Sequence, residues 1–372
     1  MQNKRALITA VVVVLLGILI YTQVREWRDF DWATFWAQTH HIRGIHILHA
    51  IALIYLHYGL RALRWKIFLK PLKKETSWLG LVPPTLIGFT GLALLGRPGE
   101  FIRPYLIARQ AKVSFSSQIA VWTVERIFDL GAFAVLLLFA ALASDQLQQI
   151  SHPFHFYLIH ILGHRFIHIQ YLLTAALAAE MIAALAIGLA LVAVAIARYG
   201  NQVARWLETR FQGSHVELGR KVASKIREFG LGLNTIDSAW SLAEASAVSV
   251  AMWLLIALAY REVTHAYVDV PVLHVLTVSK VLLLMASSML GSMVQLPAVG
   301  GGSQVATISA LSAIFHVPKE SAVSCGMLLW LVTFMSVTPL GLALAHRARL
   351  SLRQLSKESA QAEAEAASPA TI

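Results

Sequence analysis

Six stretches of the chain are apolar at nearly every position: residues 6–22, 44–60, 117–143, 171–197, 240–260 and 321–345. A helix that is apolar all round belongs in a protein core or in lipid. These stretches cluster around the length, about 20 residues, that carries a helix across a hydrocarbon core of roughly 30 Å. The first follows Lys4 and Arg5, as a secretory signal peptide would. Thr22-Gln23-Val24-Arg25 stand where a small-x-small cleavage site belongs, so it reads as a retained span.

Composition supports lipid as the solvent. Hydrophobic residues make up 57% of the 372 positions and charged residues 14%, against about 25% charged in soluble domains. The single cysteine, Cys325, excludes an internal disulfide framework and a cysteine-based zinc cluster. A net charge of +11 would suit nucleic acid, but the basic residues gather between the apolar segments. Nucleic acid is therefore not an expected partner. Arg61, Arg64, Lys66, Lys70, Lys73 and Lys74 follow the second span; Arg198, Arg205, Arg210, Arg220, Lys221, Lys225 and Arg227 follow the fourth. Arg347, Arg349, Arg353 and Lys357 follow the last, whereas 144–170 holds only Arg165 and 261–271 only Arg261. The positive-inside rule then places both termini, 61–77 and 198–238 in the cytoplasm of a multi-pass cell-membrane protein.

Parity sharpens this. Residues 61–77 are inside and span 117–143 must run outward, so 78–112 has to enter and leave from the cytoplasmic side. By the same count 272–315 enters and leaves from the opposite face. Both are broken in the middle, by Pro83-Pro84 and Gly96-Arg97-Pro98-Gly99-Glu100 in one and by Gln295-Leu296-Pro297-Ala298-Val299-Gly300-Gly301-Gly302-Ser303-Gln304 in the other. Non-helical backbone at membrane depth survives only where protein or a wet cavity satisfies it. Two broken hairpins entered from opposite faces are the pattern of an inverted-repeat transporter; the plain alternative is a pair of kinked helices. The expected architecture is an all-α polytopic membrane protein of about six full spans plus two re-entrant hairpins in inverted arrangement. Residues 1–345 form one transmembrane domain, 198–238 a cytoplasmic amphipathic segment favoured by anionic lipid, and 346–372 a disordered cytoplasmic tail.

Charges inside spans cost about 2.5–3.5 kcal/mol each on insertion scales and mark function or internal pairing. Glu125, Arg126 and Asp129 lie within the third span, with Glu125 and Asp129 four apart on one face. Arg97, Glu100 and Arg103 recur every three residues in the first hairpin; Lys280 sits mid-segment in the second and Glu180 in the fourth span. They either line a polar substrate path or form salt bridges, such as Arg103 with Glu125, that hold the hairpin to the bundle. His160, His164 and His168, with His152 and His155 nearby, could line a helical face, but no carboxylate ligand accompanies them. No metal and no cofactor is expected, and no Walker loop, H-E-x-x-H or nucleophile elbow occurs.

At three of these motifs the chain resembles the transmembrane, flippase-like region of lysylphosphatidylglycerol synthases and their stand-alone relatives. The resemblance rests on Gly96-Arg97-Pro98-Gly99-Glu100-Phe101-Ile102-Arg103-Pro104, Glu125-Arg126-Ile127-Phe128-Asp129, and Leu296-Pro297-Ala298-Val299-Gly300-Gly301-Gly302-Ser303-Gln304, and covers about 44–345. Gln304 stands where relatives usually carry Glu. The resemblance implies a lipid translocator without the soluble aminoacyl-transferase domain.

The expected function is a lipid flippase-like transporter that moves a phospholipid, polyprenyl-linked or modified lipid between leaflets. It is not read as an enzyme. Membrane lipid is the substrate, anionic lipid a surface partner, and lipid-biosynthetic enzymes are further candidate partners. Arg97, Arg103, Arg126 and Lys280 are candidate phosphate contacts; Glu100, Glu125 and Asp129 would orient them or pass protons. Gly99, Gly300 and Gly301 would let backbone approach the substrate, and Gln295, Pro297, Ser303 and Gln304 complete the candidate path. A membrane-embedded glycosyl-lipid transferase, using Glu125 or Asp129 as base, would differ by forming a product. A non-catalytic scaffold of a lipid or envelope biosynthetic complex would tolerate loss of the buried charges.

Overall fold

The structure is a computed structural model that describes residues 30–73, 75–142, 238–292 and 301–367, with short stretches between 188 and 236. The expected span 6–22 and, apart from Gly188, the span 171–197 lie outside the described residues, as do Glu180, the five histidines from His152 to His168, Gln295, Pro297 and Gly300. The described residues contain helices and no strand.

Helix α1 (Trp32–His40) starts at Asp31, whose carboxylate accepts from the Ala33 and Thr34 amides. Hydrogen bonds, first that from the Thr34 hydroxyl, hold the Asp31 carboxyl below its usual pKa. Helix α2 spans Gly44–Leu69 and α3 Trp78–Leu95; a 3-10 turn, Arg97–Phe101, leads into α4, Ile102–Ala111. Then come α5 (Phe115–Leu142), α6 (Ala239–His265), α7 (Val278–Ser292) and α8 (Gly301–Ser309, prolonged by a π-helical turn at Ala310–Ile314). Helices α9 (Lys319–Trp330) and α10 (Val337–Arg347) are joined by a second π turn, Leu331–Met335. Helix α11 covers Leu352–Ala367.

By length and composition, Trp78–Leu95, Ala239–His265 and the continuous Lys319–Arg347 can each cross a membrane. Helices α2 and α5, of 26 and 28 residues, are also long enough, at about 1.5 Å per residue, but carry charges on their inner faces. Partners along their length (Trp65 with Gln118, Arg64 with Ser249, His46 with Glu262) show that α2 runs antiparallel to both α5 and α6. The largest apolar core joins α2, α5, α6, α7 and α9 through Ile54, Phe133, Val263, Leu284 and Leu329, all buried.

Both broken segments fold back as hairpins. In the first, Gly96 adopts φ +68, a left-handed conformation that only glycine takes freely, and turns the chain at the tip of α3. A Cβ on Gly99 would overlap the Gly91 carbonyl, so the two arms cross backbone on backbone. Pro84 has no N–H for the Gly80 carbonyl one turn below, and the returning arm supplies the missing donor: Gln110 Nε2 reaches that carbonyl at 2.9 Å. The second hairpin, α7 against α8, crosses in the same way, since a Cβ on Gly291 would overlap the Gly302 carbonyl and Ala306. Both hairpins pack on α5, which lies alongside each.

Three expectations need correction. Helix α2 does not end at residue 60; it continues to Leu69, because Ala62, Trp65, Ile67, Phe68 and Leu69 keep its apolar face buried. Lys280 is not in the middle of its segment but on the first turn of α7, and exposed. The tail is not disordered over 352–367. Ala, Glu, Gln, Lys and Leu favour helix, and Leu355 and Ser359, one turn apart, are buried against the first hairpin, where Tyr105 donates to Glu358 at 3.0 Å.

Candidate functional site

Helix α5 presents Glu125 and Asp129 on one face because they are one turn apart. Facing them on α2 are Arg61 and Arg64, and the first hairpin brings Arg103 from α4. A Cβ on Gly88 would overlap that of Arg103, so only a bare α3 lets α4 lie close enough for this side chain to pass. Glu125 Oε1 accepts from Arg61 Nη1 at 3.0 Å, Arg64 Nη2 at 2.9 Å and Arg103 Nη1 at 3.0 Å. Its second oxygen accepts from Arg103 Nη2, which makes the Arg103–Glu125 pair bidentate. Asp129 is ion-paired to Arg64 at 2.7 Å and Arg61 at 3.6 Å. Ser249 of α6 accepts from Arg64 Nη1 at 2.8 Å, tying a further helix to the cluster.

Aromatic faces close the remaining sides. Arg103 lies over Trp65 at 4.3 Å and over Phe89 at 4.9 Å, and Arg61 over Phe89 at 4.8 Å. Such contacts stabilise a desolvated guanidinium by up to about 2 kcal/mol. Arg61 Nε also donates to His57 Nε2 at 3.3 Å, which leaves His57 Nδ1–H to donate to the Met252 carbonyl. His57 is thus a neutral imidazole of defined tautomer.

Arg126 differs from the other three. Its side chain is 40% exposed where that of Arg64 is 0%, and its Nη2 stays 3.6 and 3.7 Å from the carboxylates. Its buried Nε–H has no acceptor, a feature it shares with Arg64. It lies over Trp122 at 5.5 Å and lines a small pocket of about 30 Å³ with Gly88, Phe89, Leu92, Glu100, Arg103 and Trp122. Four guanidinium groups against Glu125, Asp129 and the pocket-lining Glu100 leave a net positive charge here.

Of the residues singled out from sequence, Glu100, Arg103, Glu125, Arg126 and Asp129 therefore come together, with Gly99 buried at the hairpin crossing. Arg97 is exposed at the hairpin tip. Gly301, Ser303 and Gln304 form the first turn of α8, partly buried in the second hairpin, and among the described residues none takes part in the cluster's ion pairs. Lys280 stands apart on α7. Sequence reasoning missed Arg61 and Arg64, which it counted as loop charges. The available signal was their spacing of three, continuing the face of His57.

Comparison with known proteins gives one family match. No curated protein matches the chain, and no solved structure does. The family described as the lysylphosphatidylglycerol synthase TM region matches residues 7–341, a range that includes both hairpins, α5 and the arginine cluster. The chain belongs to the lysylphosphatidylglycerol synthase transmembrane-region family.

Proposed function

We propose that this protein is a flippase-like lipid transporter of the cell membrane, and that the pocket beside Arg126 takes the phosphate-bearing headgroup of its substrate. The observation that carries this reading is the asymmetry among the arginines. Arg61, Arg64 and Arg103 are buried and committed to Glu125 and Asp129, whereas Arg126 stands off both carboxylates and offers a half-exposed guanidinium to a cavity lined by Gly88, aromatic surface and Glu100. A charged headgroup needs a counter-charge along a path that excludes water, while acyl or polyprenyl chains can stay in lipid. Membership of the family and the two glycine-crossed hairpins, entered from opposite faces by the loop charges, fit alternating access around a fixed site.

In this reading about six spans cross the cytoplasmic membrane, both termini are cytoplasmic, and the basic loops face anionic lipid. The protein is a transporter rather than an enzyme. Glu125 and Asp129, the two candidate bases, are both ion-paired to buried arginines and neither lines the pocket. The substrate is a phospholipid, polyprenyl-linked or modified lipid, and enzymes of lipid synthesis are its natural neighbours.

The test is leaflet movement of fluorescent anionic phospholipid in vesicles reconstituted with the purified chain. Arg126→Ala should leave thermal stability near wild type and slow translocation by roughly 10–100-fold, the loss of one charged hydrogen bond of about 1.5–3 kcal/mol. Arg126→Lys should recover only part, because lysine keeps the charge without the planar fork. Wild-type translocation by a well-folded Arg126→Ala would refute the assignment of the pocket. That result would favour a scaffold role, which the internal ion pairing of Arg61, Arg64 and Arg103 would also serve.

A further inference from the structure

At the opposite end of α2 from the arginine cluster, His46 and His49 lie three residues apart on one helical face, and α6 brings Glu262 against them. Glu262 Oε2 is 2.8 Å from His46 Nδ1 and 3.4 Å from His49 Nδ1. The three potential ligand atoms all lie within 4.8 Å of one another. Among the described residues this is the one group of three His, Cys, Asp or Glu side chains so placed.

We propose that His46, His49 and Glu262 bind one divalent transition-metal ion, with zinc the best match to two imidazole nitrogens and a carboxylate oxygen. Zinc bonds of about 2.0–2.1 Å set tetrahedral ligand atoms about 3.3 Å apart, so the present positions need shifts of an ångström or so, within the reach of side-chain rotation. Magnesium and calcium are disfavoured because they prefer all-oxygen sets. Binding through Nδ1 requires that nitrogen to carry no proton, so His46 gives up its hydrogen bond to Glu262 when the ion enters.

The burial gradient suits a site filled from solvent. The His46 and Glu262 side chains are 23% and 20% exposed, and that of His49 is 57% exposed. Three protein ligands leave a fourth position on the open side for water. By the charge of the loops this end of the bundle faces outside, where metal would reach it without crossing the membrane. The ion would clamp the start of α2 to the end of α6. Those helices carry Arg61, Arg64 and Ser249 at their other ends, so the site is a staple rather than part of the lipid path. It stands independently of the transport reading.

The experiment uses the full chain purified in detergent and freed of metal by chelator. Calorimetric titration with zinc should give one site per chain and a raised thermal midpoint; cobalt should give the intense visible bands of a tetrahedral ion. His49→Ala, at the most exposed position, should weaken zinc binding at least tenfold while metal-free stability stays near wild type. Glu262→Gln, close in volume, should do the same and abolish the cobalt bands. Absence of a saturable site in the wild type would overturn the proposal. So would zinc binding and cobalt bands unchanged in both variants, since the ion would then sit on other histidines of the chain.

Discussion

At the scale of single residues the shared use of Glu125 decides what substitutions do. Were Arg103 and Glu125 an isolated pair, replacing both with apolar residues would be near neutral, as for many buried ion pairs. Here Glu125 also holds Arg61 and Arg64. Arg103→Ala should destabilise the protein by about 3–5 kcal/mol, the usual effect of breaking a buried pair, with some relief because two arginines still neutralise the carboxylate. Glu125→Leu should be worse, since it leaves Arg61, Arg64 and Arg103 with Asp129 alone. The double change Arg103→Met with Glu125→Leu should therefore fail to restore stability. Thermal melts of the single and double variants in detergent check this, and full rescue by the double change would show that the cluster works as separate pairs. The Arg103–Glu125 contact was legible in the sequence, because Glu125 interrupts a strongly apolar span and Arg103 lies in the broken hairpin beside it. The part played by Arg61 and Arg64 was not: a charge at the end of an apolar run looks the same whether it flanks the membrane or turns into the bundle. Glu262 was hidden for another reason, as its partner His46 is 216 residues away.

At the scale of elements, the hairpins depend on what their glycines leave out. Gly99→Ala should destabilise by more than the roughly 1–3 kcal/mol of ordinary overpacking, because the obstacle is the backbone of Gly91 rather than a movable side chain. Gly291→Ala should do likewise in the second hairpin. Gly59→Ala, with nothing within 4 Å of the new methyl, is the control. It should be neutral or stabilising by about 0.5–1 kcal/mol, as expected for a helix interior. Equal melting temperatures for the Gly99 and Gly59 variants would mean that the arms do not cross as described. The hairpins were legible from parity and from their Gly-Pro breaks. The repair of Pro84 by Gln110 was not, because it depends on which turn of the returning arm meets Gly80. Helix α11 was missed because a segment rich in alanine, glutamate and serine is equally suited to disorder and to a helix with a narrow buried stripe. Leu355 and Ser359 decide between them only when the first hairpin is there to cover them.

For the whole molecule, the expected topology puts residue 70, just beyond α2, on the opposite side of the membrane from residue 269, beyond α6. The native Cys325 is buried, so single cysteines placed at 70 and 269 can be read against a low background. An impermeant maleimide applied to intact cells should label residue 269 and spare residue 70. Labelling of both from outside would reverse the parity from which the inverted hairpins follow.

The convergence of arginines from two earlier segments on one later helix also constrains how the protein is made. Arg61, Arg64 and Arg103 emerge from the ribosome ahead of Glu125 and Asp129, and Arg103 precedes its carboxylate by 22 residues. At about 5–20 residues per second this is a wait of roughly 1–4 s, during which Arg103 has no counter-charge and pays the full insertion penalty in lipid. Arg61 and Arg64 can meanwhile reach toward the interface from the end of their helix, but Arg103 lies on a returning arm with no such exit. The first hairpin should therefore stay in the translocation channel until residues 115–142 emerge, and enter the bilayer together with them. Chains stalled when residue 112 has just emerged from the ribosome should remain crosslinked to the channel, and those stalled with residue 142 well outside it should be released to lipid.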